Sequence, residues 1–215
     1  MKEVDFNLEK SPFKDFLSSR YSMTSKIDVS KTWNFAKENN LSFFILSLGC
    51  LTNALNSIPE MKRRIINGKV IEFDKLDAIT PILNEKEEML EMRVLPPESY
   101  DSIKTWHDYV INLKESILKD EKLSFSIPMS KRDSEPIANF SCIPWVDFDS
   151  LTTCISYSQQ IQPLITWGKV NADGKMSVAI TVNHIFIFGK QLGEFYKNLE
   201  RNFNSPKKIL KCLYY

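Results

Sequence analysis

Histidine, cysteine and glycine are all scarce in this sequence. The 215 residues include two histidines, four cysteines and six glycines. The cysteines form no C-x-x-C pair or other spacing typical of metal ligands, and a chain of this length does not depend on disulfides for stability. No glycine-rich phosphate-binding loop is present. These absences argue against a zinc site, a secreted disulfide scaffold and a phosphate loop. They favour a cytoplasmic protein without a metal.

An excess of charge of one sign is also lacking. Lys and Arg (28) nearly cancel Asp and Glu (27), which leaves a net charge of +1. A chain with so small a net charge is not attracted strongly to DNA or to an anionic membrane. We therefore expect neither nucleic acid nor a membrane as a partner. The first residues include acids and no apolar stretch, so we expect no signal peptide.

One run, residues 41–58, resembles a membrane span. Serine, threonine and asparagine interrupt it, and it is shorter than the ~20 apolar residues that a span requires. Phe44, Leu48, Leu51 and Leu55 recur at helical spacing on one face. The pattern therefore predicts a buried core helix.

The remaining pattern is typical of an α/β protein. Hydrophobic residues make up 43% of the chain, enough for a substantial core. The pair Asn67-Gly68 between β-branched residues predicts a hairpin. Strands are predicted over residues 21–29, 65–73, 78–83, 89–94, 137–143, 150–157, 164–170 and 176–182, and helices after Ser30 and over residues 41–58, 101–119 and 190–203. We expect a mixed β-sheet flanked by helices, in a single domain over residues 1–215.

His184 is the main candidate for catalysis. It ends a β-branched run, just before Gly189 and a helix-like segment. Histidine is the usual general base near neutral pH. Ser141, in a strand-like segment about 40 residues upstream, offers a donor for an oxyanion. His107 adjoins the apolar stripe of the helix predicted over 101–119, and we expect it to be solvated. By itself, a histidine in a strand is more often a hydrogen-bonded core residue.

The two segments around His184 and Ser141 resemble the chloramphenicol acetyltransferase family. The family motif is His-His-x-x-x-Asp-Gly, and here Asn183 replaces the first histidine and Phe188 the aspartate. Similarity extends over almost the whole chain. The resemblance implies a chloramphenicol acetyltransferase-like fold, acetyl-CoA as cosubstrate, a small-molecule hydroxyl acceptor, a homotrimer with active sites between subunits, and a role in antibiotic resistance.

The resemblance also assigns roles to residues of this chain. His184 matches the general base, Ser141 the serine that stabilises the oxyanion, and Thr166 a threonine that orders the transition state through water. Trp145 and Lys169 are candidates to flank acetyl-CoA, by packing and by neutralising phosphate. The positions that match the acceptor pocket are Phe16, Met92, Ile127 and Thr153.

The departures from the motif leave other functions open. In the family the motif aspartate pairs with an arginine, and here those positions hold Phe188 and Glu9. Joint loss of both partners is consistent with apolar repacking of a buried ion pair. One alternative is a catalytically silent, trimeric small-molecule-binding relative. Another is an acyltransferase core acting on lipoyl thiols, although no lipoyl-like domain or Pro/Ala linker is present.

Overall fold

The computed structural model describes residues 1–120, 127–154 and 160–208. The strands are β1 (Lys2–Glu3), β2 (Arg20–Asp28), β3 (Arg63–Ile66), β4 (Lys69–Glu72), β5 (Asp77–Leu83), β6 (Met89–Val94), β7 (Ile137–Cys142), β8 (Leu164–Val170) and β9 (Lys175–Asn183). The α-helices are α1 (Ser30–Glu38), α2 (Phe43–Asn56), α3 (Ile103–Asp120) and α4 (Gly189–Asn204). Short 3₁₀ turns connect several of these elements.

Six strands form a mixed sheet in the order β2-β9-β8-β7-β5-β6. The pairs β5–β7 and β7–β8 are parallel, and the other pairs are antiparallel. This confirms the predicted mixed sheet with helices. β1, β4 and β3 form a second, antiparallel sheet. Its β3–β4 hairpin turns at Asn67 and Gly68, whose φ angles of 51° and 75° are both positive, as the Asn-Gly pair predicts.

The helices cover one face of the large sheet. Alternate strand residues such as Phe140, Ile165 and Ile180 are buried in the hydrophobic core on that face. α2 is the central helix, and every residue from Ile45 to Asn56 is buried. Phe44 at its start stacks on Trp167 of β8 at 5.7 Å. The predicted core helix is thus confirmed, and the family-like motif at the end of β9 is attached to a rigid layer.

The opposite face, here called the polar face, carries the other alternate residues of the same strands. Register pairs such as Ser141↔Thr166 and Thr166↔Ala179 point to this side. The hydroxyls of Ser22 and Thr181 lie 2.7 Å apart on it. A chain segment after β7 crosses this face, and the candidate chemistry lies here.

Two expectations about local structure are wrong. Residues 150–154 form no strand, and residues 155–159 lie outside the described part of the chain. Both neighbours of β7 are already occupied, by β5 and β8, and Thr153 instead donates through its side chain to Thr181 Oγ1 at 3.2 Å. His107 is buried rather than solvated. Its Nε2 accepts the backbone N–H of Ser42 at 2.9 Å, which ties α3 to the start of α2.

Candidate active site

Asn183 and Ser19 fix the backbone of His184 directly after β9. The Asn183 Oδ1 accepts the N–H of Ile185 at 2.9 Å, which reverses the chain in a tight side-chain-mediated turn. The His184 N–H donates to the Ser19 carbonyl at 2.7 Å. The Ser19 hydroxyl in turn donates to the Phe13 carbonyl at 2.7 Å. The residue at the first position of the motif therefore shapes the turn, and Ser19 links His184 to the segment that carries Phe13.

Aromatic rings surround the imidazole of His184. Phe13 stacks on it with ring centroids 3.8 Å apart and planes 16° apart, and Tyr21 stacks at 4.5 Å and 30°. Two such nearly parallel rings would overlap if they lay on one side of the imidazole, so they cover opposite faces. Phe188 lies at 5.0 Å with its plane at 73°, in an edge arrangement. The imidazole is sandwiched, and ligands can approach it only at its rim.

The two nitrogens of His184 are in different environments. Within the described residues, Nδ1 is buried and has no hydrogen-bond partner. Nε2 is therefore the nitrogen left for a ligand. The Tyr21 hydroxyl donates to the Ile187 carbonyl at 3.1 Å, which holds the Tyr21 ring against the imidazole. Burial raises the pKa of Tyr21, so this hydroxyl keeps its proton at neutral pH.

Ser141 and Thr166 come together on the polar face. They are register partners on the adjacent parallel strands β7 and β8, and both side chains point away from the helices. Thr166 is buried and Ser141 is half-buried. On the far side of Thr166, its partner on β9 is Ala179. The two predicted residues therefore share one small region of the sheet.

His184 does not reach that region within one chain. Ala179, which lies level with Ser141, is four residues before Asn183 on β9. At ~3.3 Å per residue and ~4.8 Å between strands, His184 lies more than about 13 Å along the strands and about 10 Å across two of them from Ser141. His184 and Ser141 can therefore bind the same substrate only if they come from two different copies of the chain.

Trp145 and Lys169 are neighbours at the same end of the sheet as Ser141. The Lys169 N–H donates to the Val146 carbonyl at 2.9 Å, and Trp145 is 73% exposed. Gly168 permits this approach, because a Cβ there would lie 2.6 Å from the Val146 oxygen. The backbone of Lys169 thus contacts the residue after Trp145, and the side chains of Lys169 and Trp145 are both exposed.

The four predicted pocket residues lie in different parts of the structure. Phe16 is 54% exposed and packs edge-on to Phe13 at 5.4 Å, next to the imidazole sandwich. Thr153 lies on the polar face, and the Ile127 carbonyl accepts from Arg132 on the same side at 3.2 Å. The fourth, Met92, is a wrong prediction. It is fully buried in the hydrophobic core, because strand alternation turns it toward the helices.

A buried polar network on the polar face escaped sequence analysis. Glu91, the neighbour of Met92, points to this face and pairs with Arg132 at 2.5 Å, with both side chains 6% exposed. Arg132 also donates to Asn139 Oδ1 at 3.1 Å, and Asn139 donates to Gln162 Oε1 at 2.8 Å. No local pattern indicates these contacts, because Glu91 lies 41 residues from Arg132 and Gln162 lies 23 residues from Asn139. The network makes the surroundings of Ser141 more polar than the predicted pocket.

The expectation of a buried apolar replacement for the ion pair is only partly right. Phe188 does pack on His184 and, at 6.0 Å, on Phe13, but it remains 40% exposed. Glu9 is exposed and pairs with Lys14, whose hydrogen bond and charge hold the pKa of that carboxyl below its usual value. Neither position is a buried site.

The described residues contain no cluster of three or more His, Cys, Asp or Glu side chains suited to a metal ion. No helix in the same ranges is both long and apolar enough to cross a bilayer.

Comparisons with known proteins agree with the motif. The sequence model of the chloramphenicol acetyltransferase family matches residues 6–200. A chloramphenicol acetyltransferase from Bacillus pumilus is 26% identical over 210 residues, covering 92% of this chain and 91% of the relative. A solved chloramphenicol acetyltransferase aligns over 98% of this chain and 100% of its own, with a TM-score of 0.78 and 24% identity. A dihydrolipoamide acetyltransferase from Azotobacter vinelandii aligns over 98% and 94%, with a TM-score of 0.67 and 14% identity.

Proposed function

This chain belongs to the chloramphenicol acetyltransferase family, and we propose that it is an acetyl-CoA-dependent O-acetyltransferase acting on a small-molecule hydroxyl. The observation that carries the proposal is the setting of His184. Its ring is stacked between Phe13 and Tyr21 and its Nδ1 is buried, which leaves Nε2 as the nitrogen that would take a proton. A rigid imidazole with one available nitrogen suits a general base. Such a base must first lie within hydrogen-bond reach of the proton that it removes, and its pKa matters only after that condition is met.

In the proposed reaction, Nε2 of His184 takes the proton of the acceptor hydroxyl. The acceptor oxygen forms a bond to the thioester carbonyl carbon, and the carbonyl oxygen becomes an oxyanion. Ser141 donates a hydrogen bond to that oxyanion, and Thr166, its register partner, orders a water beside it. Collapse of this tetrahedral intermediate breaks the bond between the carbonyl carbon and the sulfur. The imidazolium of His184 then returns the proton to the departing coenzyme A thiolate. No acyl-enzyme is required.

The catalytic site forms between copies of the chain in this proposal. His184 of one copy faces Ser141 and Thr166 of the next, since the strand register keeps them more than about 13 Å apart within one chain. Three copies give three equal sites in a closed ring, which fits the family resemblance. Trp145 and Lys169, which are both exposed, flank acetyl-CoA in this proposal.

One observation favours the alternative of a silent binding relative. The Nδ1 of His184 has no hydrogen-bond partner among the described residues, and such a bond is what usually fixes the tautomer of a catalytic histidine. Stacking orients the ring but does not select the tautomer. A protein of this kind would keep the pocket and lose turnover.

The deciding experiment is release of coenzyme A from acetyl-CoA, with and without chloramphenicol. The proposal predicts acceptor-dependent release that falls by at least about 10²- to 10⁴-fold in His184→Ala. The matched control is the other histidine, as His107→Gln, which retains an acceptor and lies away from the site. Binding without release would favour the silent relative. Release that depends on dihydrolipoamide rather than on an alcohol would indicate the lipoyl thiol reaction.

A further inference from the structure

Ser19 has two separate links to the imidazole of His184. Its backbone carbonyl accepts the N–H of His184 at 2.7 Å, and its hydroxyl donates to the carbonyl of Phe13 at 2.7 Å. The Phe13 ring in turn stacks on the imidazole at 3.8 Å, with the two planes 16° apart. Ser19 is only 3% exposed, so water does not compete with its side chain for these groups. One residue thus holds both the backbone of His184 and a ring that covers its imidazole.

The hydroxyl of Ser19 gives the backbone of Phe13 the shortest of its hydrogen bonds among the described residues. Residues 11–19 contain turns and neither helix nor strand. The Phe13 N–H donates to Ser11 Oγ at 3.4 Å and its carbonyl accepts from the Phe16 N–H at 3.3 Å, and both distances are long for such bonds. A buried hydroxyl costs free energy unless it is hydrogen-bonded, and an alanine at position 19 would offer the same backbone carbonyl. The bond to Phe13 is therefore what the serine side chain adds.

We propose that Ser19 is a positioning residue for the general base, whose hydroxyl holds Phe13 on the imidazole while its carbonyl holds the backbone of His184. The inference rests on the proposed function. A base must keep its nitrogen within hydrogen-bond reach of the proton that it removes, and a displacement of about 1 Å can lower the rate about 10²-fold. Loss of the Phe13 contact would let the imidazole turn about its side-chain torsions. The acceptor hydroxyl would then meet a correctly placed nitrogen less often.

The first test is the kinetics of Ser19→Ala, which removes the hydroxyl and keeps the backbone bond. It should lower kcat by about 2- to 10-fold, as expected for one hydrogen bond, with KM for acetyl-CoA and for the alcohol unchanged. The control is Ser57→Ala, which removes a hydroxyl that donates to the Ala54 carbonyl at 2.7 Å after α2, and it should act as wild type. An unchanged kcat in Ser19→Ala, or an effect on KM alone, would overturn the proposal.

A double-mutant cycle tests whether the hydroxyl acts through the ring. Phe13→Leu should lower kcat by about 10-fold or more, because it removes the stacked ring itself. Adding Ser19→Ala to Phe13→Leu should cause no further loss. Additive losses would mean that Ser19 contributes to the structure without acting through Phe13, which would refute the proposal. Should Ser19→Ala fail to fold, Ser19→Cys, which keeps the size of the side chain and only a weak donor, replaces it in both tests.

An NMR measurement distinguishes failure of this inference from failure of the proposed function. The chain has two histidines, so the Cε1–H signal that remains in His107→Gln belongs to His184. The ring current of a stacked phenyl group displaces this signal, and Ser19→Ala should move it toward its position in Phe13→Leu. An unmoved signal would refute the role of Ser19, whether or not the protein is an enzyme. A signal that moves as expected in a protein without acetyl transfer to any alcohol would refute the proposed function alone.

Discussion

Phe188→Asp restores the family residue at the motif, and its effect on stability can be estimated from the structure. The phenyl ring is 40% exposed, so about 60% of it is removed from water. Full burial of such a side chain contributes about 1.5–3 kcal/mol, and loss of this ring therefore costs about 1–2 kcal/mol. Aspartate at the N-cap of α4 would contribute about 1 kcal/mol in return. The net loss should be about 1 kcal/mol or less.

Urea unfolding at neutral pH measures this difference through the four tryptophans. Phe188→Ala is the control that loses the ring without gaining a cap, and it should be less stable than Phe188→Asp by about 1 kcal/mol. Phe188→Asn separates the effect of the N-cap from the effect of the charge, because asparagine is as good an N-cap residue as aspartate but carries no carboxylate. The double variant with Glu9→Arg should be additive, because Glu9 is exposed and pairs with Lys14.

A loss of about 3 kcal/mol or more for Phe188→Asp would refute this reasoning. Such a loss would mean that the carboxylate is buried without a partner, and hence that a second subunit covers Phe188. Light scattering on each variant at the same concentration shows whether assembly has changed.

Three further results are expected. Ser141→Ala should lower kcat by about 10²-fold with little change in KM, since an oxyanion donor acts only in the transition state; coenzyme A release measures it, and an effect on KM alone would make Ser141 a ground-state contact. Arg132→Met should destabilise the chain by about 3–5 kcal/mol because it strands Glu91, and Glu91→Leu in the same chain should recover most of this; additive losses in urea unfolding would contradict a buried pair. His107→Ala should cost about 1–3 kcal/mol because the Ser42 N–H loses its acceptor; an unchanged Tm would argue against that bond.

The local sequence determined most elements of the fold. The Asn67-Gly68 turn, the buried helix α2 and the strand β9 followed by α4 each depend on spacing within a short window. Helical and strand periodicities act over a few residues, so they can be read without knowing the partners. The position of His184 at the end of a strand was predictable for the same reason.

Contacts between distant residues were decided by the tertiary structure. Met92 and Glu91 are adjacent in β6, and only the register of the sheet determines which one points to the polar face, since side chains alternate with a period of two. The imidazole sandwich requires Phe13 and Tyr21 to meet a residue from the far end of the chain. The periodicity of hydrophobic residues in the sequence does not indicate such a contact between distant residues.

The sequence by itself therefore determined the family, the order of the elements and the candidate residues His184 and Ser141. The tertiary structure decided that these two lie more than about 13 Å apart within one chain, and that Phe188 is a partly exposed neighbour of the imidazole. The physical reason is that short-range pattern specifies each element, whereas strand register and packing between distant segments set the distances and the burial on which chemistry depends.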